Sequence, residues 1–260
     1  PRLLREPAEM RASRLFMGTF TMHPKLFPRG QAAAVPITFV NAATWRDQRD
    51  ALDSHAQAFT AASGFEPKPG RHLVLPAADG SLGGVLFGLE PADDPHLDLF
   101  RPGTLASALP AGSYRFANAP HDSKLAALAF LLGAYRFARY RAQDAKDVRL
   151  ELPGNVDGDE LTRIAEGVCL ARDLINTPAN DMGPPDLEDA ARAVAARHGA
   201  SVHTVVGDNL LTANFPLIHA VGRAAARPPR LIDLTWGNPE HPKVTLVGKG
   251  VCFDTGGLDI

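Results

Sequence analysis

The residues best suited to chemistry stand close together near the end of the sequence. Lys249 lies between Gly248 and Gly250, and Cys252, Asp254, Gly256 and Gly257 follow. Just before them, Val244-Thr245-Leu246-Val247 has the composition of a buried strand. In open α/β folds, functional groups collect where strands end. Glycines at such a place let the backbone approach a ligand closely. A phosphate-binding loop is one chemistry to consider. It requires Ser or Thr directly after the lysine and a glycine where Lys243 stands, so Gly250 and Lys243 exclude it. A simple ion pair between Lys249 and Asp254 is the plainest reading on composition. A metal site is the third reading. Asp254 would give an oxygen ligand, and Lys249 could ligate only after losing its proton, which a nearby dication can drive. Residue types and spacing leave the ion pair and the metal site both open.

The elements that must position these residues are read from periodicity. Ala34–Val40 predicts a strand. Thr44–Ala62 alternates at roughly helical spacing. His72–Pro76 and Leu82–Leu89 predict the arms of a hairpin turning at Asp79-Gly80. Lys124–Arg141 predicts a helix capped by Asp122 or Ser123. Leu125, Leu128, Leu132 and Tyr135 lie on one of its faces, and Arg136, Arg139 and Arg141 occupy its last turns. Val148–Leu152 reads as a strand. A helix follows the capping residue Asp157, carries Leu161, Ile164, Val168, Ala171 and Ile175, and stops at Asn176-Thr177-Pro178. Asp186–His198 predicts a helix ended by Gly199. Ser201–Val206 and Arg230–Trp236 predict strands, with a short helix over Asn209–Asn214. Helices alternating with apolar strands indicate a parallel or mixed sheet covered on both faces. Residues 1–30 read as a leader or flexible arm, 31–155 as a small N-terminal α/β domain and 156–260 as a second domain.

Composition narrows the function classes. Of 260 residues, 45% are hydrophobic and 22% charged, ordinary values for a globular chain. A net charge of -2 supplies no global field toward nucleic acid or acidic lipid. Cys169 and Cys252 cannot make a disulfide framework and suit a reducing compartment. No apolar stretch approaches the ~20 residues of a membrane span. Cys252 reads as a core filler, Asp233 as a buried, satisfied carboxylate, and Trp45 and Trp236 as packing. His198, His203, His219 and His241 lack ligand spacing and are assigned no metal. Arg223, Arg227 and Arg230 form a basic run that reads as a solvated loop, with an oligomer contact as the alternative.

The run Val247–Gly257 closely resembles the first metal-binding segment of the leucine (cytosol) aminopeptidase family, of the bacterial type with a short N-terminal domain. Arg172–Met182 resembles that family's entry to its catalytic domain. Val221–Ile232 resembles the segment leading into its central sheet. The N-terminal portion is similar more loosely. The resemblance implies a small N-terminal α/β domain followed by the beginning of an α/β/α sandwich metallopeptidase domain. It implies two divalent metal ions, manganese or zinc, with Lys249 ligating one through a neutral amine and Asp254 bridging both. It further implies peptide substrates with a free N-terminus, leucine-type specificity, a homohexamer and a cytoplasmic location. The family also places a catalytic lysine directly after the position of Ile260, and further carboxylates in a later Asn-Thr-Asp-Ala-Glu-Gly-Arg segment. Neither is present here, so no catalytic residue is assigned within this chain. The expectation is a truncated form, inactive alone. The reading from a different class is a non-catalytic module that binds a partner or nucleic acid, against which the near-neutral charge argues for the nucleic-acid case.

Overall fold

In the computed structural model the described residues are 26–31, 33–141 and 146–252. They form two compact units that divide between Leu170 and Ala171. Residues 1–25 of the expected arm, and Asp254, lie outside the described residues.

The first unit is built on a six-stranded sheet. Its strands are β1 (Leu26–Phe27), β2 (Val35–Val40), β3 (His72–Pro76), β4 (Leu82–Gly88), β5 (Gly112–Phe116) and β6 (Val148–Glu151), in the order β1-β6-β5-β2-β4-β3. All neighbours run parallel except β3, which pairs antiparallel with β4 across the expected hairpin. The period-two alternation of the strands sends side chains to opposite faces. Ile37, Phe39, Val85, Phe87 and Leu150 join one core, while Val40, Leu75 and Leu86 join another. The second core covers its face over β2, β4 and β3, while Arg115 of β5 and Arg149 of β6 stand exposed on that face, so the two-sided cover that the sequence predicts holds for part of the sheet.

Helices α1 (Trp45–Asp50) and α2 (Ser54–Ala62) divide what the sequence presents as one helical stretch. Asp53 causes the break. Its backbone is extended and its carboxylate accepts from the Ala56 N–H at 2.8 Å, so it starts a new helix rather than continuing the old one. Trp45 packs edge-on against Phe65 at 5.4 Å, the packing role expected of it.

A 3-10 turn (Arg101–Thr104) and α3 (Leu105–Ala108) lead to α4 (Ser123–Gly133), capped by the Asp122 carboxylate on the Leu125 N–H at 2.9 Å. The sequence predicts this helix running on to Arg141, and the structure ends it a good two turns earlier. Gly133 lies so close to the 3-10 turn that a β-carbon there would meet the Gly103 carbonyl oxygen at 1.9 Å. Arg136 then donates to the carbonyls of Gly133 and Tyr135 at 3.2 and 2.7 Å, satisfying acceptors that the helix leaves open. Residues 26–31 also depart from expectation. Leu26 and Phe27 pair with Leu150 and Glu151, so the sheet begins inside the stretch read as an arm.

Helix α5 (Gly158–Asn176) starts at Asp157, whose carboxylate accepts from the N–H groups of Asp159 and Glu160 at 2.9 and 3.1 Å. Its residues to Leu170 belong to the first unit, where Leu161 and Ala165 enter the core.

The second unit contains α6 (Pro184–His198), β7 (Ser201–Val206), α7 (Asn209–Thr212), α8 (Pro216–Gly222) and β8 (Arg230–Thr235). Pro184 and Pro185 open α6, and the Asp186 carboxylate accepts from the Gly183 N–H at 2.8 Å. Gly199 (φ 67°) closes it in the left-handed conformation that its sequence position predicts. β7 and β8 pair antiparallel, with His203 opposite Asp233. No helix among the described residues is long and apolar enough to cross a membrane.

Candidate metal centre

The chain leaves β8 through a turn at Gly237 (φ 98°), where the Asn238 side chain accepts from the Glu240 N–H at 3.0 Å. From Pro242 to Cys252 it has no regular structure. The strand expected at Val244–Val247 is thus absent. Val244, Leu246 and Val247 are 83%, 93% and 93% exposed. A strand needs a neighbour for its backbone hydrogen bonds. Among the described residues β7 and β8 pair only with each other.

Lys249 follows this run as an exposed side chain with no hydrogen bond or ion pair among the described residues. Gly250 touches α6, since a β-carbon there would come within 2.8 Å of the Leu187 side chain. Cys252 is half-buried. Burial pushes its thiol pKa up and Asp186 adds to this, while Arg227 and Arg230 oppose it.

The charges beside Cys252 form a tight structural cluster that the sequence did not reveal. Arg227 pairs with Asp186 at 2.7 Å and also donates to the Asn180 carbonyl. Arg230 pairs with Glu188 at 2.5 Å, and Arg192 donates its Nε to the same carboxylate at 2.8 Å. Glu188 is only 8% exposed. Burial would raise its pKa, but the hydrogen bonds from Arg192, Arg230 and Thr204 outweigh that and hold it below the ordinary carboxylate range. Arg227 and Arg230 are therefore pinned to α6, Arg230 mostly buried and Arg227 partly exposed, and Arg223 alone of the three matches the expected loop charge. The signal was faint: arginines 41 and 42 residues from their acidic partners carry no local spacing cue.

Two further expectations change. Asp233 is exposed: it begins the outer half of β8, where Leu234 and Thr235 are exposed as well. Trp236 is 75% exposed and donates its indole N–H to the His198 carbonyl at 3.0 Å, so it contributes a hydrogen bond more than packing.

An amine that has lost its proton and a carboxylate are competent metal donors. The described residues nevertheless do not assemble a metal site. No group of three or more His, Cys, Asp or Glu side chains among them could hold an ion. Lys249 alone supplies one donor, too few to hold a dication against water.

Fold and sequence together define a mostly parallel α/β unit followed by a segment whose sequence sets a lysine and an aspartate among glycines. Comparison with known proteins gives this a family. The model described as the M17 aminopeptidase N-terminal domain matches residues 35–153. The model described as the cytosol aminopeptidase family catalytic domain matches residues 169–260. The chain belongs to the M17 cytosol aminopeptidase family. A probable cytosol aminopeptidase from Geobacter sp. (strain M21) is 35% identical over 62% of this chain and 35% of its own length. One from Streptomyces griseus is 32% identical over 81% of this chain and 48% of its own length. The crystal structure of a cytosol aminopeptidase from Coxiella burnetii superposes with a TM-score of 0.80 at 39% identity, covering 90% of this chain and 51% of that one. The bottromycin maturation enzyme BotP in complex with Mn superposes with a TM-score of 0.61 at 28% identity, covering 80% and 46%. The chain spans at most about half the length of these relatives.

Proposed function

We propose that this chain carries the N-terminal domain and the first metal-ligating segment of a cytoplasmic, metal-dependent aminopeptidase. The protein removes N-terminal residues, leucine above all, from peptides. The observation that carries this reading is the run from Val247 to Gly257, which lies inside the residues that match the family's catalytic domain. In this reading the cofactor is two divalent ions, manganese or zinc. Lys249, through its neutral amine, and Asp254 would be among the ligands that hold them. The manganese in BotP supports a metal requirement. The homohexamer and the peptide with a free α-amino group belong to the same reading.

Lys249 and Asp254 supply too few donors for two ions, so the 260-residue chain alone should not hydrolyse leucine p-nitroanilide, even with added manganese. The complete gene product should, and chelation should abolish it. Lys249→Ala in the complete product should lower manganese-dependent activity by more than the roughly 100-fold that outer-sphere partners cost. Hydrolysis by the short chain, or an undiminished Lys249→Ala enzyme, would overturn the assignment of the site. Absence of peptidase activity from the complete product would favour a non-catalytic binding module.

A further inference from the structure

The parallel sheet of the first unit ends in a cleft of about 440 Å³. The cleft is lined at the carboxyl ends of three neighbouring strands, β1, β6 and β5, beside Ser123, the first residue of α4. Open α/β sheets gather ligands at this end because rigid strands hold loops that are free to vary. The size falls in the range of about 300–1,000 Å³ typical of small-molecule sites.

Two arginines reach the cleft from distant parts of the sequence. Arg29 follows β1, and Arg115 lies within β5. Neither guanidinium has a hydrogen bond or ion pair among the described residues. Elsewhere Arg101, Arg149, Arg192, Arg227 and Arg230 are each paired with a carboxylate. Two unpaired guanidiniums in one concavity attract an oxyanion, and their planar forks match phosphate geometry.

The remaining lining favours a body larger than phosphate alone. The loop after β5 is a fixed floor, because the Asn118 side chain accepts from the Phe39 N–H and donates to the Phe39 carbonyl, both at 2.8 Å. Phe116 anchors this end of β5 in the core, its ring edge-on against Phe39 at 5.0 Å on the face opposite Arg115. Glu151 accepts from the Gly30 N–H at 3.1 Å through one oxygen, which leaves the other to accept from a ligand hydroxyl. A lone anion would be repelled by Glu151, whereas an anion bearing hydroxyl donors would use it.

We propose that this cleft binds a small organic phosphate that bears hydroxyl groups, of sugar-phosphate type. The phosphate lies between Arg29 and Arg115, and sugar hydroxyls reach Glu151. The inference does not rest on the aminopeptidase reading, and either can fail without the other. Calorimetric titration of the 260-residue chain with adenosine monophosphate, inorganic phosphate and adenosine tests it. The monophosphate should bind, inorganic phosphate more weakly, and adenosine not measurably. Added sodium chloride should weaken the monophosphate. Arg29→Gln and Arg115→Gln should each weaken it by roughly tenfold or more. Arg46→Gln, on the exposed surface of α1, is the control and should leave it unchanged. The substituted arginines are exposed, so the fold should persist, and thermal unfolding checks this. If a variant unfolds, the salt dependence and the preference over adenosine decide on the unsubstituted chain. Four outcomes would sink the proposal: no monophosphate binding at millimolar concentration, equal binding of adenosine, equal binding of inorganic phosphate, or full affinity in both variants.

Discussion

Glu188 shows how a single buried carboxylate can govern the second unit. It receives Arg230 at 2.5 Å and Arg192 at 2.7 Å, joining α6 to β8. The Arg230 and Glu188 side chains are both about nine-tenths buried. Removing one partner leaves the other as an uncompensated buried charge, which costs about 3–5 kcal/mol. Glu188→Gln should therefore unfold this unit at clearly lower urea, measured by circular dichroism on the 260-residue chain. The pH response has a definite sign. The folded-state pKa of Glu188 is depressed, so the folded state holds its charge more strongly than the unfolded state does. The resulting stability is fully present above the ordinary glutamate pKa and is lost as pH falls through the lower folded-state value. Glu188→Gln should flatten that acid limb. A variant with the parent's acid limb would show that the ion pairs contribute nothing. Lys249 has the opposite setting, exposed and without a partner among the described residues, and so adds nothing comparable to the fold.

Packing distances set the ends of elements as firmly as propensity does, and α4 is the clearest case. Gly133 and Gly103 let the end of this helix and the 3-10 turn approach to backbone contact. A β-carbon on Gly133 would overlap the Gly103 carbonyl, and one on Gly103 would come within 2.5 Å of the Ala129 carbonyl. Gly133→Ala should cost about 3 kcal/mol through forced displacement, although alanine is the better helix former. Thermal unfolding reads this, and a variant as stable as the parent would show that the approach is not tight. Most other elements were legible in the sequence because their cues are local. The alternation of β2, the turn between β3 and β4, the cap at Asp157 and the glycine after α6 all declare themselves within a few residues. Contacts between distant residues left no such trace. Neither the close approach that ends α4 nor the pairing of Leu26–Phe27 with β6 has a local signal. β5 was missed because Tyr114 and Phe116 give too short an alternation to stand out. The candidate metal site was legible only as a family motif, since Lys249 has no partner in the described residues and Asp254 lies outside them.

At the scale of the whole chain, the two units differ in how they treat apolar residues. The first buries large side chains on both faces of its sheet, from Phe87 and Phe130 to Tyr114. The second leaves Leu217, Val221, Trp236, Val244, Leu246 and Val247 exposed. Scattered exposed apolar residues are ordinary, but a run as dense as Val244–Val247 is not, and it has high β propensity with no charge inside it. Such a segment is a ready partner for another copy of itself or for any strand edge. The 260-residue chain should therefore bind a hydrophobic dye and self-associate as its concentration rises, read by fluorescence and by light scattering after gel filtration. Leu246→Lys with Val247→Asp should suppress both while leaving the circular dichroism of the first unit's sheet unchanged. The exposed positions of these side chains make a loss of folding the wrong outcome for that double variant. Equal dye binding before and after the substitutions would show that the association surface lies elsewhere, on the Leu217 and Val221 side chains of α8.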